Sequence, residues 1–225
     1  MKTTKSILLL CVLFGTVFGL HAQVDKEKLS LNISKAEEAN QQKLKQYVWK
    51  RRSDVFIESQ LKLTTITEFS FKPDGQLQTN IVDTETTVEK KPGLRGKAQA
   101  NAAGEKIEYI EKALKLAIDY TFMTKGELLD FFTKATVTEK DGVIEAVADN
   151  VHVKGDRLLV RVDPNTHLFT YKEFTSLLGQ DKIEGKLNYE TFSNGTSHLS
   201  TTTLNLPAQK MNIDAKNQDY TIRVN

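Results

Sequence analysis

The sequence predicts an α+β protein: a strongly curved antiparallel sheet, an incomplete β-barrel, wrapped around central helices. Three observations predict it. Apolar residues alternate with a period of two through about ten segments. Most of these segments are joined by short turns rich in Gly, Pro, Asn and Asp, which suit antiparallel neighbours. Two helical stretches in the middle of the chain carry apolar stripes that need a cover. A twisted sheet of ~10 strands curls, and its hollow side provides that cover.

The chain opens with Met-Lys-Thr-Thr-Lys, an apolar run "SILLLCVLFGTVFGL", and His21-Ala22. A short cationic start, an apolar core and a small residue form the layout of a secretory signal peptide. The run is shorter than the ~20 residues a membrane span needs. Cleavage is expected after Ala22, so residues 1–22 are read as signal and 23–225 as one half-barrel domain in the periplasm. Lipidation at Cys11 is disfavoured, because Leu10 precedes it and the greasy residues 12–20 would remain. Loss of Lys2 and Lys5 leaves 29 basic against 29 acidic side chains, so the mature chain is neutral. Such a chain lacks the unopposed cations that gather nucleic acid, and no nucleic-acid partner is expected. Cys11 is the only cysteine, so the mature chain has no disulfide, thiolate nucleophile or sulfur-bound metal. No second apolar run reaches membrane length.

After the signal, Ser34 and Glu37 stand at capping-box spacing, and a helix is expected over about 34–47. The period then becomes two. In "YVWKRRSDVFIE" (47–58), Tyr47, Trp49, Val55 and Ile57 share a parity that Arg51 and Ser53 interrupt. Lys50 and Arg52 fall on the wet side. Arg51 is expected at the mouth of the interior, pairing with an Asp or Glu. Leu61, Leu63, Phe69 and Phe71 form a second strand. The "KPDG" turn at 72–75 leads to a third, with Leu77, Thr79 and Ile81 on one face. Residues 89–104, with Pro, Gly and Ala, read as a connection, and "GLRG" at 93–96 as a flexible turn. A helix over about 105–121 presents Ile107, Ile110, Leu114, Ala117 and Ile118. A second, over about 124–135, opens with the Thr124/Glu127 capping pair and carries Leu128, Leu129, Phe131, Phe132 and Ala135. Six or seven strands separated by "KGD", "DPNT", "GQDK" and "SNG" complete the chain, the last read as "DYTIRV".

This order of elements, with "YVWKRRSDVFIE", the hairpin around "VKGDRLLVRVDPNT" and a closing "LNLP…DY", resembles the LolA-like superfamily of lipoprotein carriers. The resemblance spans nearly the whole mature chain and rests on recurring phrases, without a catalytic signature. It implies a half-barrel with a helical lid that holds acyl chains in an apolar cavity. The lid-locking arginine of the well-studied carriers matches no position here and is not transferred.

Residues for chemistry are sparse. His152, His167 and His198 are far apart and show no metal-site spacing. No serine sits in Gly-x-Ser-x-Gly. Glu37-Glu38 and Asp54-Glu58 are explained by exposed helix or strand edges. The expectation is therefore a protein that is not an enzyme and uses no cofactor and no metal. Its partner is a lipid or lipoprotein acyl chain. The alternative is an envelope protein-interaction or sensor module with a packed core and no ligand. The expected cavity lining is Trp49, Phe69, Phe71, Leu128, Phe131, Phe132, Phe169 and Tyr171, with Arg51 at the mouth. The short helix "GELLDFFTKA" is the expected lid, its phenylalanines filling the empty cavity.

Overall fold

The computed structural model describes residues 25–87 and 93–223, and the side chains of 93–102 are not part of that description. The expected signal peptide, with its cleavage site and Cys11, lies outside the described residues. A helix α1 (Lys26–Leu44) leads into strands β1 (Tyr47–Ile57), β2 (Gln60–Phe71) and β3 (Leu77–Thr86). Helices α2 (Gly93–Thr121) and α3 (Lys125–Lys134) follow. Seven strands then run to the C-terminal end: β4 (Thr136–Lys140), β5 (Val143–Asp149), β6 (Arg157–Val162), β7 (Phe169–Leu178), β8 (Asp181–Thr191), β9 (Ser197–Leu206) and β10 (Met211–Ile222).

All ten strands form one antiparallel sheet in the order β3-β2-β1-β10-β9-β8-β7-β6-β5-β4. Two meanders are thus joined where β1 pairs with β10, and the sheet stays open between β3 and β4. This is the open antiparallel sheet with helices that the period-two pattern predicts. The turns carry the chemistry expected of them. Lys72 accepts from the Gly75 N–H at 2.9 Å, with Gly75 at φ +85°, where a side chain would be strained. Asp163 Oδ1 accepts from the backbone of Asn165 and Thr166, an Asx turn.

The main core gathers the inner parity of β5 to β10 with the apolar faces of all three helices. Leu158, Val160, Val162, Ile183, Leu187, Leu204 and Ile213 are fully enclosed there. Gly185 stands opposite Phe174, whose ring occupies the space a Cβ would need. The third helix is fixed as its sequence predicts. Thr124 accepts from Glu127 N at 3.3 Å, and Glu127 accepts from Thr124 N at 2.6 Å. Lys26 of α1 donates to the Ala135 carbonyl at its far end.

Several expectations need correcting. The first helix begins at Lys26, capped by Asp25 accepting from Lys28 N, and ends at Leu44. Ser34 opens nothing: its hydroxyl is buried and donates to Ser30 C=O inside the helix. Buried Ser30, Ser34 and Asn40 on the packed face hide the apolar period there. The second helix starts at Gly93, so "GLRG" is its first turn and much of the presumed connection is helical. Its buried stripe is Ile110, Ala113, Ala117 and Tyr120, while Ile107 is 48% exposed. The third strand has no covered face beyond half-buried Leu77, and Ile81 is 63% exposed, because β3 is an edge. The last strand starts at Met211, eight residues before the segment read from sequence.

Candidate functional site

The residues expected to line one cavity fall into two groups. Leu128, Phe131, Phe132 and Phe169 belong to the main core, each at most 3% exposed. Trp49, Phe69 and Phe71 form a separate cluster with Leu44 and Tyr47, against which Phe122, Phe192 and Tyr220 pack. Trp49 stacks between Phe69 and Tyr220, both centroids 5.6 Å away and both rings tilted by 14°. Such pairs add about 0.5–1.5 kcal/mol each beyond area burial.

Tyr171 joins neither group. The pairing of β6 with β7 shifts between Arg161 and Val162, opposite Tyr171 and Phe169, a bulge that reverses parity along β7. Tyr171 therefore lies on the outer face, under the Arg161 guanidinium and donating to Glu173 at 2.6 Å. The same bulge turns Lys172 inward.

Lys172 is 1% exposed, with Nζ over the Phe169 ring and donating to the Tyr120 and Thr121 carbonyls at 3.1 and 3.0 Å. Those carbonyls end α2, where a cation suits the negative end of the helix. Burial pulls Lys172 down to about 8, and the nearby Glu37 charge opposes that pull. Glu37, expected on an exposed edge, faces inward and accepts from Phe169 N at 3.1 Å. Burial raises its carboxyl above the usual range, against the lowering influence of Lys172. Alongside, the Tyr120 hydroxyl donates to Asp156 at 2.5 Å, and Asp156 also gathers the backbone N–H groups of Val151, His152 and Val153. Tyr120 and Ser176 are fully enclosed and Asp156 is 1% exposed, so this network pins α2 to the sheet and offers no access to a substrate.

Between the two apolar groups the inner face of β9, β10 and β1 turns polar. Ser53, Ser200, Thr202, Asn217 and Arg51 are all buried there. Arg51 is 6% exposed on the Trp49 parity. Its Nε donates to Asn217 Oδ1 at 2.8 Å, and its guanidinium lies 4.6 Å from the Phe69 ring centre. Asn217 in turn donates to Leu199 C=O. The carboxylate expected beside Arg51 is missing among the described residues, where no Asp or Glu oxygen comes within 4.0 Å. Burial lowers Arg51 to about 10, so it stays charged at neutral pH.

Arg51 and Trp49 line a partly open pocket of about 30 Å³, with Glu37, Gln41, Tyr189 and Tyr220 around it. That is room for about two waters. Two buried side-chain atoms of this lining, Trp49 Nε1 and the Tyr189 hydroxyl, have no hydrogen-bond partner among the described residues. Sequence reasoning placed Trp49 and Arg51 here but missed Tyr189 and Asn217. The signal for Asn217 was present, since Met211, Ile213, Ala215 and Asn217 alternate inward. Among the described residues no three His, Cys, Asp or Glu side chains gather as a metal would need. No described helix is long and apolar enough to cross a membrane.

No protein-family model and no curated protein matches the chain. Three solved structures are similar to it in chain trace. One is a DUF1329 family protein from Desulfovibrio piger, 9% identical over 88% of this chain and 92% of that one, with a TM-score of 0.40. Another is an outer membrane lipoprotein-sorting protein domain from Vibrio parahaemolyticus, at 9%, 89%, 94% and 0.44 in the same order. The third is a LolA superfamily protein from Nitrosomonas europaea, at 11%, 84%, 94% and 0.32. At these identities and TM-scores the architecture stands on the strand order itself, and it is the open sheet over helices that the LolA-like resemblance implied.

Proposed function

We propose that the chain is a non-catalytic binding protein of the periplasm that shelters an apolar ligand, a lipid or a lipoprotein acyl chain, against the inner face of its sheet. One observation carries this reading: the Trp49–Phe69–Phe71 cluster is separate from the main core and adjoins a partly open pocket. Each methylene moved from water onto such a surface contributes about 0.8 kcal/mol. The pocket of about 30 Å³ is far below the several hundred Å³ a lipid tail fills, so uptake requires the helices to move off the sheet. The same small volume favours a second reading, an envelope interaction module whose core stays packed.

Native mass spectrometry and solvent extraction of the purified protein separate the two, with uptake of a fluorescent fatty acid as the companion assay. Trp49 is the only tryptophan of the chain, so its emission reports directly on the cluster. Copurifying lipid, or uptake with a change in Trp49 emission, is the expected result. Clean protein with no uptake would leave the interaction module standing.

A further inference from the structure

The pocket beside Arg51 is unusual in what its lining leaves unused. Among the described residues, Arg51 spends one N–H on Asn217 and meets no carboxylate within 4.0 Å. Trp49 Nε1–H and the Tyr189 O–H are buried with no acceptor. Burial holds the Tyr189 hydroxyl well above its ordinary range, so it keeps its proton and remains a donor. The three residues that carry these donors, one of them charged, line one small space. A buried donor left without an acceptor loses the hydrogen bond that water would have given it, so this set stands incomplete.

From this geometry we infer a carboxylate-binding site, in which Arg51 receives the carboxylate and Trp49 Nε1–H and the Tyr189 hydroxyl complete its hydrogen bonds. Space for about two waters matches the two oxygens of one carboxylate and is tight for a tetrahedral phosphate. The planar guanidinium fork suits that shape. Glu37 is the one carboxylate in the lining, and its oxygen is engaged by Phe169 N–H with Lys172 nearby to offset its charge. The rest of the ligand leaves by the open side, past the aromatic ring of Trp49. Two sources share this chemistry, the head of a fatty acid and a short free carboxylate. The fatty-acid source rests on the binding-protein reading above, and the short carboxylate does not.

Calorimetric titration of the mature chain tests the site with laurate, dodecanol, butyrate and inorganic phosphate. Laurate is expected to bind and dodecanol, which has the same tail length without the charge, to bind at least tenfold more weakly. Butyrate binding as tightly as laurate would instead name the short carboxylate as source. Arg51→Met should weaken carboxylate binding about 10- to 100-fold, the range for a hydrogen bond to a charged group. Tyr189→Phe removes only an oxygen without a protein partner, so it should fold unimpaired and still weaken binding several-fold. It keeps the test decisive if Arg51→Met unfolds. Equal binding of laurate and dodecanol would overturn the carboxylate site while leaving the apolar carrier intact. Carboxylate binding unchanged in Tyr189→Phe and in folded Arg51→Met would overturn it as well. So would Arg51-dependent binding of phosphate with none of butyrate or laurate, or no binding of any carboxylate at millimolar concentration. Copurified lipid, measured separately, decides the carrier reading.

Discussion

Raising the pH from 8 to 9 should stabilise this protein, and Lys172 is the reason. Its ammonium is buried under α2 and its folded value is drawn from 10.5 to about 8. A lysine lowered in the folded state binds fewer protons there than in the unfolded chain between those two values. Stability therefore rises with pH across that window. Below it, the folded state carries the full penalty of a buried charge. Linkage between a folded value of about 8 and an unfolded value of 10.5 gives a gain of about 1 kcal/mol from pH 8 to pH 9. For a domain of this size that corresponds to roughly 2–4 °C in melting temperature.

The window is clean. His198 is lowered from 6.5, so its contribution is complete below pH 7. Arg51, at about 10, contributes little below pH 9. The raised tyrosines, Tyr109 and Tyr171 at about 12 among them, oppose the trend as the pH approaches the ordinary phenolic value of 10, where the unfolded chain loses its phenolic protons first, so the window ends at pH 9. The assay is thermal or urea unfolding of wild type and Lys172→Met at half-unit steps from pH 7 to 9. Methionine fills the same space but gives up the bonds to the Tyr120 and Thr121 carbonyls, so its baseline is lower. Its profile should nevertheless be flat where that of wild type climbs. A wild-type profile that is flat or falling would refute the reasoning, and so would the same climb in Lys172→Met.

Three further outcomes follow from the packing. Gly185→Ala should cost about 1–3 kcal/mol, read by urea denaturation, because its methyl meets the Phe174 ring and the sheet must yield. Phe132→Ala, at a fully enclosed ring, should cost about 3–5 kcal/mol in the same assay, far more than the removal of a detachable lid residue would. Native-state amide exchange should be slow over residues 113–121 of α2, where Ala113, Ala117 and Tyr120 are buried, and fast over 105–108, whose side chains are all exposed.

Where side-chain parity and capping alone decide an element, the sequence was enough to find it. The Thr124–Glu127 box, the turns at 72–75 and 163–166, and the alternation of β1 are local facts, and each appears in place. Failures came where a distant partner decides. The bulge opposite Arg161 is invisible in "HLFTYKEF", yet it turns Tyr171 outward and Lys172 inward. Glu37 looks solvated until α1 is laid against β7. Ser30, Ser34 and Asn40 read as a polar surface, yet Asn40 faces β9, exchanging bonds with the Ser197 backbone. Of the aromatics expected inside, all but Tyr171 are buried, but their division into two clusters depends on strand order, which the pairing of β1 with β10 sets.

Among the described residues two buried cations, Lys172 and Arg51, stand on the inner face, and the contrast between them bears on what that face is for. Lys172 spends donors on the carbonyls that end α2 and lies over the Phe169 ring, so its burial does structural service by tying helix to sheet. Arg51 has one bond to Asn217 and a ring beside it, and no carboxylate among the described residues offsets its desolvation. Replacing a buried charge by an apolar residue of similar volume is often neutral or stabilising. A methionine at position 51 would pack against Phe69 without leaving a charge to be solvated. Stability thus gives no reason for an arginine here. The neighbouring donors of Trp49 and Tyr189 are likewise without protein acceptors, at a pocket that opens to the outside. The charge, the opening and the residues that carry the orphan donors coincide at one pocket, where a ligand supplying the missing acceptor would account for them.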